Sequence, residues 1–179
     1  MNLPNKLTIF RIALIPLFVI CFYIPVRCWE FIAAAVFVIA YATDMLDGHI
    51  ARKNNIVTDF GKLMDPIADK LLTASALIML TGIDMLSPIP TIIIIAREFI
   101  VSGLRLIAAG DGIVIAAGKL GKLKTITQCI AIVLTILQKS IAVLLHFRLD
   151  LVIMWIAVAL TVISAIDFVL KNRKNFKFR

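Results

Sequence analysis

Four aspartates carry the chemistry of this chain. Asp44, Asp47, Asp65 and Asp69 stand in the segment YATDMLDGHIARKNNIVTDFGKLMDPIADKLL, surrounded by apolar residues. Ionisable groups at membrane depth are costly and mark a functional site by default. Asp44 and Asp47 are three apart and Asp65 and Asp69 four apart, so each pair occupies one face of its own helix. Two antiparallel neighbouring helices would bring all four carboxylates together. Four unpaired carboxylates repel one another or take up protons, and two hard divalent cations remove that conflict. A donor set of oxygens without His or Cys points to Mg²⁺ or Mn²⁺ rather than zinc. Two such ions suit phosphoryl chemistry, holding phosphate oxygens and neutralising charge on the leaving group. The plainer reading, helix-end aspartates facing water, suits one such residue better than four at helical spacing.

Small residues lie between the pairs. Gly48 and Ala51 follow the first pair and Gly61 precedes Asp65 by one turn, where short side chains let a base or a phosphate approach the backbone. Helix packing is the plainer role for Gly48 and Gly61. Arg52 offers a bidentate contact to phosphate. The whole spacing is DxxDGxxAR, eight residues, then GxxxDxxxD, which sets eight positions in the window from Asp44 to Asp69. This segment resembles the signature of the CDP-alcohol phosphatidyltransferases, with every signature position filled. The resemblance implies an all-α integral membrane fold of six transmembrane helices, a homodimer, and a dimetal site opening to the cytoplasm, where an alcohol displaces CMP from a CDP-linked lipid. It further implies that Asp44, Asp47 and Asp65 bind the two metal ions and that Asp69 joins them or serves as general base. Gly48, Ala51, Arg52 and Gly61 would then form the cytidine-diphosphate pocket. A base beside the attacking hydroxyl must accept a proton in the transition state, and the last Asp of the constellation suits that role.

The elements that must position these residues follow from composition. The chain has 179 residues, of which 61% are hydrophobic, with a mean hydropathy of +1.02. A soluble domain sits near 45–50% apolar, so an ordinary water-soluble fold, a disordered chain and a nucleic-acid-binding protein are all excluded. Apolar spans are expected near 7–26, 29–50, 66–86, 89–110, 125–146 and 150–170, each near the 20 or so residues a crossing needs. They form one six-helix membrane catalytic domain over residues 1–179, with both termini on one side. The basic start is read as a retained first helix rather than a signal peptide, because Arg11 interrupts the apolar stretch and no small-residue cleavage site follows.

Lys and Arg orient the spans. Sixteen of the 19 fall toward one face, which is therefore cytoplasmic; Arg27, Lys139 and Arg148 fall toward the other. The tail KNRKNFKFR is expected on anionic headgroups, so membrane lipids count among the partners. Cys21, Cys28 and Cys129 lie far apart and read as apolar packing. His49 lies off the Asp44/Asp47 face and His146 near the opposite membrane face. Trp29 and Trp155 read as interfacial or packing aromatics, and Asp84, Asp150 and Asp167 are assigned no chemistry.

The acceptor alcohol must be read from the rest of the chain. The segments NLPNKLTIFR, IIIIAREFIVSGLR and GKLGKLKT resemble the phosphatidylglycerophosphate synthases of the same family, a likeness that thins in the outer loops and final helix. It implies CDP-diacylglycerol as donor, sn-glycerol 3-phosphate as acceptor and a bacterial inner membrane as location. Charge agrees: Arg97 and Arg105 are eight apart on roughly one face, and Lys122 and Lys124 enter the fifth span from the cytoplasmic side. A dianionic phosphate wants such a cluster; a neutral polyol does not need one and serine has no phosphate to bind, whereas inositol phosphate fits by charge alone. Phosphatidylglycerol is a further acceptor used within the family. Glu98 is expected to point off the Arg97 face and anchor a different polar contact. Asn5, Thr8 and Arg11 form a polar stripe expected to line the nucleotide or acceptor cavity. A cation transporter would not need glycines and an arginine around its carboxylates, and a prenyl transferase would not share the DGxxAR element or its distance to the second motif.

Overall fold

Apolar runs bounded by Pro, Gly and charge fold into helices, in the order α1 (Leu3–Cys21), α2 (Trp29–Asn54), α3 (Asp59–Gly82), α4 (Pro88–Gly110), α5 (Lys119–Ile136), α6 (Gln138–Leu145) and α7 (Leu149–Asn172). The computed structural model describes residues 3–26, 28–54, 59–110, 112–113, 115, 118–145 and 147–173, with side chains described for 8–26, 28–43, 64, 67–110, 112–113, 115, 118–141 and 147–173. Helix ends depart from the spans expected of hydropathy for local reasons. α1 begins at Leu3 because Pro4 is tolerated in a first helical turn, and it ends before Pro25, which disfavours helix in the residue ahead of it. α2 runs on through His49-Ile50-Ala51-Arg52-Lys53, since Ala, Arg and Lys are good helix formers and the two cations end the apolar run without ending the helix. The fifth expected span is two helices: Leu137 leaves helical geometry at φ −88° and ψ 9°. Its N–H still reaches Val133 O at 3.0 Å and its carbonyl still receives the Ile141 N–H at 3.0 Å.

Two units divide the chain, Met1–Met85 and Leu86–Arg179. In the first, α1 lies against both α2 and α3. The α1–α2 seam is aromatic: Phe18 meets Phe22 edge-on at 5.0 Å and Phe37 at 5.8 Å, while Phe22 meets Trp29 at 5.1 Å. Trp29 is thus a packing aromatic, as expected. α3 closes in a Schellman motif, with Asp84 at φ 58°, the Met85 N–H on Leu80 O at 3.0 Å and the Asp84 N–H on Thr81 O at 3.2 Å. This explains Asp84 without chemistry.

In the second unit α7 packs on both α4 and α5. Val101 and Ala108 of α4 are buried with Phe168 of α7, and Leu104, Ile113, Ile115 and Ala165 pack around them. α4 ends in the same motif as α3, here with Gly112 at φ 75° and the Ile113 N–H on Ala108 O at 2.8 Å. Ahead of α7, Arg148 donates to both oxygens of Asp150 at 3.0 and 2.9 Å and to Gln138 at 2.6 Å. The Asp150 bonds raise the Arg148 pKa above its ordinary value, and place the carboxylate in the first turn of α7, where the helix dipole favours it. Cys21, Cys28 and Cys129 are free thiols.

Polar groups are buried beside the apolar core, and many large apolar side chains face outward. Thr8, Arg11, Glu30, Thr91, Lys124, Gln128, Thr135, Asp150, Thr161 and Ser164 are buried, while Phe10, Phe31, Ile78, Ile92, Phe99, Leu106 and Leu170 are among many large apolar side chains left exposed. A scattered exposed Leu is ordinary; so many exposed large apolar side chains, with charged and polar groups turned inward, suit a hydrocarbon solvent. Among the described residues one helix, Leu149–Asn172, is long and apolar enough by itself to cross a membrane, with mean hydropathy 2.4. α4 carries Arg97, Glu98 and Arg105 within its length, and α5 has 18 residues with three lysines.

Candidate active site

Both aspartate pairs lie within helices. Asp44, Asp47, Gly48, Ala51 and Arg52 belong to α2, and Gly61, Asp65 and Asp69 to α3. Helical backbone through both segments puts each pair on a single helix face, as the spacing of three and four required. α2 and α3 are in contact with each other as well as with α1. The side chains of Asp44, Asp47, Gly48, Ala51, Arg52, Gly61, Asp65 and Asn5 lie outside the described residues, as do those of His49 and His146. Asp69 is half-buried at the border of the α3 core face, next to fully buried Ala68 and one turn from Leu72, and it is engaged in an interaction of its own.

α1 turns Thr8 and Arg11 inward. Both are completely buried, and Ile15, Phe18 and Cys21 continue the same face. The inner face of α1 is therefore polar in its first half and apolar in its second. A buried Arg demands partners, and both Thr8 and Arg11 have them.

The second unit holds a cavity of about 90 Å³ lined by Arg97 and Arg105 of α4, Gly118 and Gly121 at the start of α5, and Ser164, Asp167, Phe168, Lys171 and Asn172 of α7. Arg97 donates from Nη2 to Ser164 Oγ at 2.9 Å and from Nη1 to Glu98 Oε1 at 3.2 Å. Arg105 lies over the Phe168 ring, its guanidinium carbon 5.2 Å from the centroid. The Nε atoms of both arginines are buried without a hydrogen-bond partner. Lys171 pairs with Asp167 at 2.8 Å and Arg97 and Lys124 share the single Glu98 carboxylate, so the cations around the cavity outnumber the carboxylates that meet them. No side chain caps α5 at Gly118, so the first-turn N–H groups and the positive end of its dipole add to the same field. Two guanidiniums and a helix N-terminus on one small cavity suit a multiply charged oxyanion.

The four expected phosphate-binding cations are thus divided. Arg97 and Arg105 share the cavity, whereas Lys122 and Lys124 are not among its lining residues. Lys122 is exposed. Lys124 is 3% exposed and paired with Glu98, because its position one helical turn past Gly121 turns it toward α4. Glu98 therefore anchors a different contact, as expected, yet it also accepts from Arg97: the long arginine stem bends back across one residue, which face geometry alone does not show. Ser164, Phe168, Lys171 and Asn172 escaped sequence reasoning. Their signal was present as the i, i+4, i+7, i+8 spacing of polar and aromatic residues along the last helix, but an apolar final helix with a basic end also reads as a plain anchor.

A family model described as CDP-alcohol phosphatidyltransferase matches residues 1–163. A protein of Bacillus subtilis named CDP-diacylglycerol–glycerol-3-phosphate 3-phosphatidyltransferase is 43% identical over 188 residues, covering 98% of this chain and 97% of its own. A Rickettsia felis protein of the same name is 43% identical over 178 residues, with the same shares covered. One from Shigella flexneri, again so named, is 36% identical over 178 residues, covering 97% of this chain and 96% of its own.

Proposed function

This chain belongs to the CDP-alcohol phosphatidyltransferase family, and from that premise we propose that it transfers the phosphatidyl group of CDP-diacylglycerol to sn-glycerol 3-phosphate, yielding phosphatidylglycerophosphate and CMP for anionic phospholipid synthesis. The observation that carries the acceptor is the cavity that Arg97 and Arg105 both line beside the start of α5, since two guanidiniums at a helix N-terminus suit a phosphate monoester. Relatives of this length and similarity bear the name of that activity. Residues 1–179 act as a single catalytic domain of six membrane spans, α5 and α6 together making the fifth. Both termini and the active site face the cytoplasm, in a homodimer of the bacterial inner membrane.

Asp44, Asp47, Asp65 and Asp69 would hold two divalent cations, Mg²⁺ or Mn²⁺; four carboxylates in i, i+3 and i, i+4 pairs on touching helices are a hard-oxygen donor set that fits them. Bound there, the cations supply neutralisation of the diphosphate oxygens and of the departing phosphate. Gly48, Ala51 and Gly61 leave room beside the backbone for the cytidine diphosphate, Arg52 pairs with a phosphate, and Asn5 and Thr8 contribute polar contacts from α1. Arg97 and Arg105 hold the acceptor phosphate and so orient the primary hydroxyl. The hydroxyl oxygen bonds to the lipid-side phosphorus, the bond from that phosphorus to the CMP oxygen breaks, and Asp69 accepts the hydroxyl proton.

Release of CMP by purified protein in detergent tests this reading, given CDP-diacylglycerol, Mg²⁺ and one acceptor at a time. Release that depends on glycerol 3-phosphate and is abolished by chelator supports it. Release with serine or inositol phosphate instead would retain the family chemistry and overturn the acceptor.

A further inference from the structure

The two cavity arginines are held by two residues of one helix face. Ser164 and Phe168 are four apart on α7, and each meets one guanidinium of α4. We propose that both are positioning residues for the acceptor phosphate, Ser164 acting through Arg97 and Phe168 through Arg105; this rests on the cavity's being the acceptor site.

The chemistry of the two contacts differs. Ser164 is buried, and its hydroxyl donates to Thr161 O at 3.0 Å. Its proton is thereby spent, so the oxygen presents a lone pair and accepts from Arg97 Nη2. Glu98 takes the other terminal nitrogen, and between them the two acceptors set the plane of the fork. Phe168 fixes Arg105 without consuming a donor. The guanidinium carbon lies over the ring, and cation–π attraction strengthens away from water, so the contact orients the cation without a hydrogen bond from its terminal N–H groups. One arginine is steered by hydrogen bonds and the other by an aromatic ring, and both line the same cavity. A guanidinium already oriented loses less freedom when an anion arrives. α7 thus sets the acceptor affinity of charges that belong to α4.

Steady-state kinetics of the purified enzyme decide this. Ser164→Ala should raise the KM for glycerol 3-phosphate roughly tenfold, as expected for a lost hydrogen bond to a charged group. Phe168→Leu, which keeps apolar bulk but removes the ring, should raise it about fivefold. The KM for CDP-diacylglycerol should stay within twofold in both, and Ser164→Thr and Phe168→Tyr should restore the acceptor KM. Coupling is the sharper reading. Ser164→Ala should add nothing to Arg97→Ala but multiply the effect of Arg105→Ala, and Phe168→Leu should behave in the reverse manner. Equal increases in both substrates' KM, or additivity within the matched pairs, would overturn the proposal and leave α7 as packing only. Wild-type enzyme without glycerol 3-phosphate-dependent CMP release would instead remove the functional reading on which it rests.

Discussion

Lys124 of α5, which is buried, and Glu98 of α4, which is partly buried, form an ion pair, and the same carboxylate oxygen also accepts from Arg97. α4 packs on α7 rather than on α5, so this carboxylate ties together two helices that share little apolar contact. Removing one member of a buried pair leaves the other charged and desolvated, at a cost of about 3–5 kcal/mol. Glu98→Ala should therefore lower the thermal unfolding midpoint in detergent sharply. Adding Lys124→Met should recover much of the loss, since apolar replacement of both partners is often neutral. A midpoint unmoved by Glu98→Ala would show the pair to be dispensable.

The acceptor cavity makes a directional prediction for its second arginine. Arg105→Ala removes a cation with an unpartnered buried donor and leaves the Phe168 ring without its guanidinium. A charge-assisted contact of about 1.5–3 kcal/mol corresponds to roughly 10- to 100-fold in KM for glycerol 3-phosphate. The KM for CDP-diacylglycerol should change little. An unchanged acceptor dependence would remove Arg105 from the site.

The aspartates separate by role. Asp44→Ala, Asp47→Ala or Asp65→Ala should each abolish CMP release, and chelation of the wild-type protein should do the same until Mg²⁺ is restored. Asp69→Asn should also abolish transfer, but with CDP-lipid binding partly retained if its carboxylate accepts the hydroxyl proton. Loss of CDP-lipid binding to the same extent as in the other three variants would make Asp69 a metal ligand only. Equilibrium binding of CDP-diacylglycerol, with and without Mg²⁺, distinguishes the two.

Asp84 offers a stabilising change far from any chemistry. It occupies the left-handed position that closes α3, a conformation that costs an L-residue about 1–2 kcal/mol. Glycine removes that strain while adding freedom to the unfolded chain. Asp84→Gly should raise the unfolding midpoint, by about 0.5–1 kcal/mol in free energy, with CMP release unaltered. A lowered midpoint would mean that the carboxylate itself supports the turn.

Much of this protein is legible in the order of its residues. Hydrophobic runs of membrane length, with Pro25, Lys53-Asn54-Asn55, Ser87-Pro88 and the Gly118 region, mark most of the helix junctions, though not those at Leu137 and ahead of α7. Helical spacing alone pairs Asp44 with Asp47 and Asp65 with Asp69, because 3.6 residues per turn bring neighbours three and four apart onto one face. Those are local relations, and local geometry is what a sequence displays directly. Tertiary structure decided which distant side chains meet. Lys124 looks equivalent to Lys122 in sequence, yet packing buries it on Glu98 and leaves Lys122 in the open. Ser164 and Phe168 look like ordinary residues of an apolar helix until α7 packs on α4 and places them against Arg97 and Arg105. A buried charge must find its partner wherever the fold offers one, and these partners lie 26, 67 and 63 positions away in the chain, beyond the reach of any periodicity.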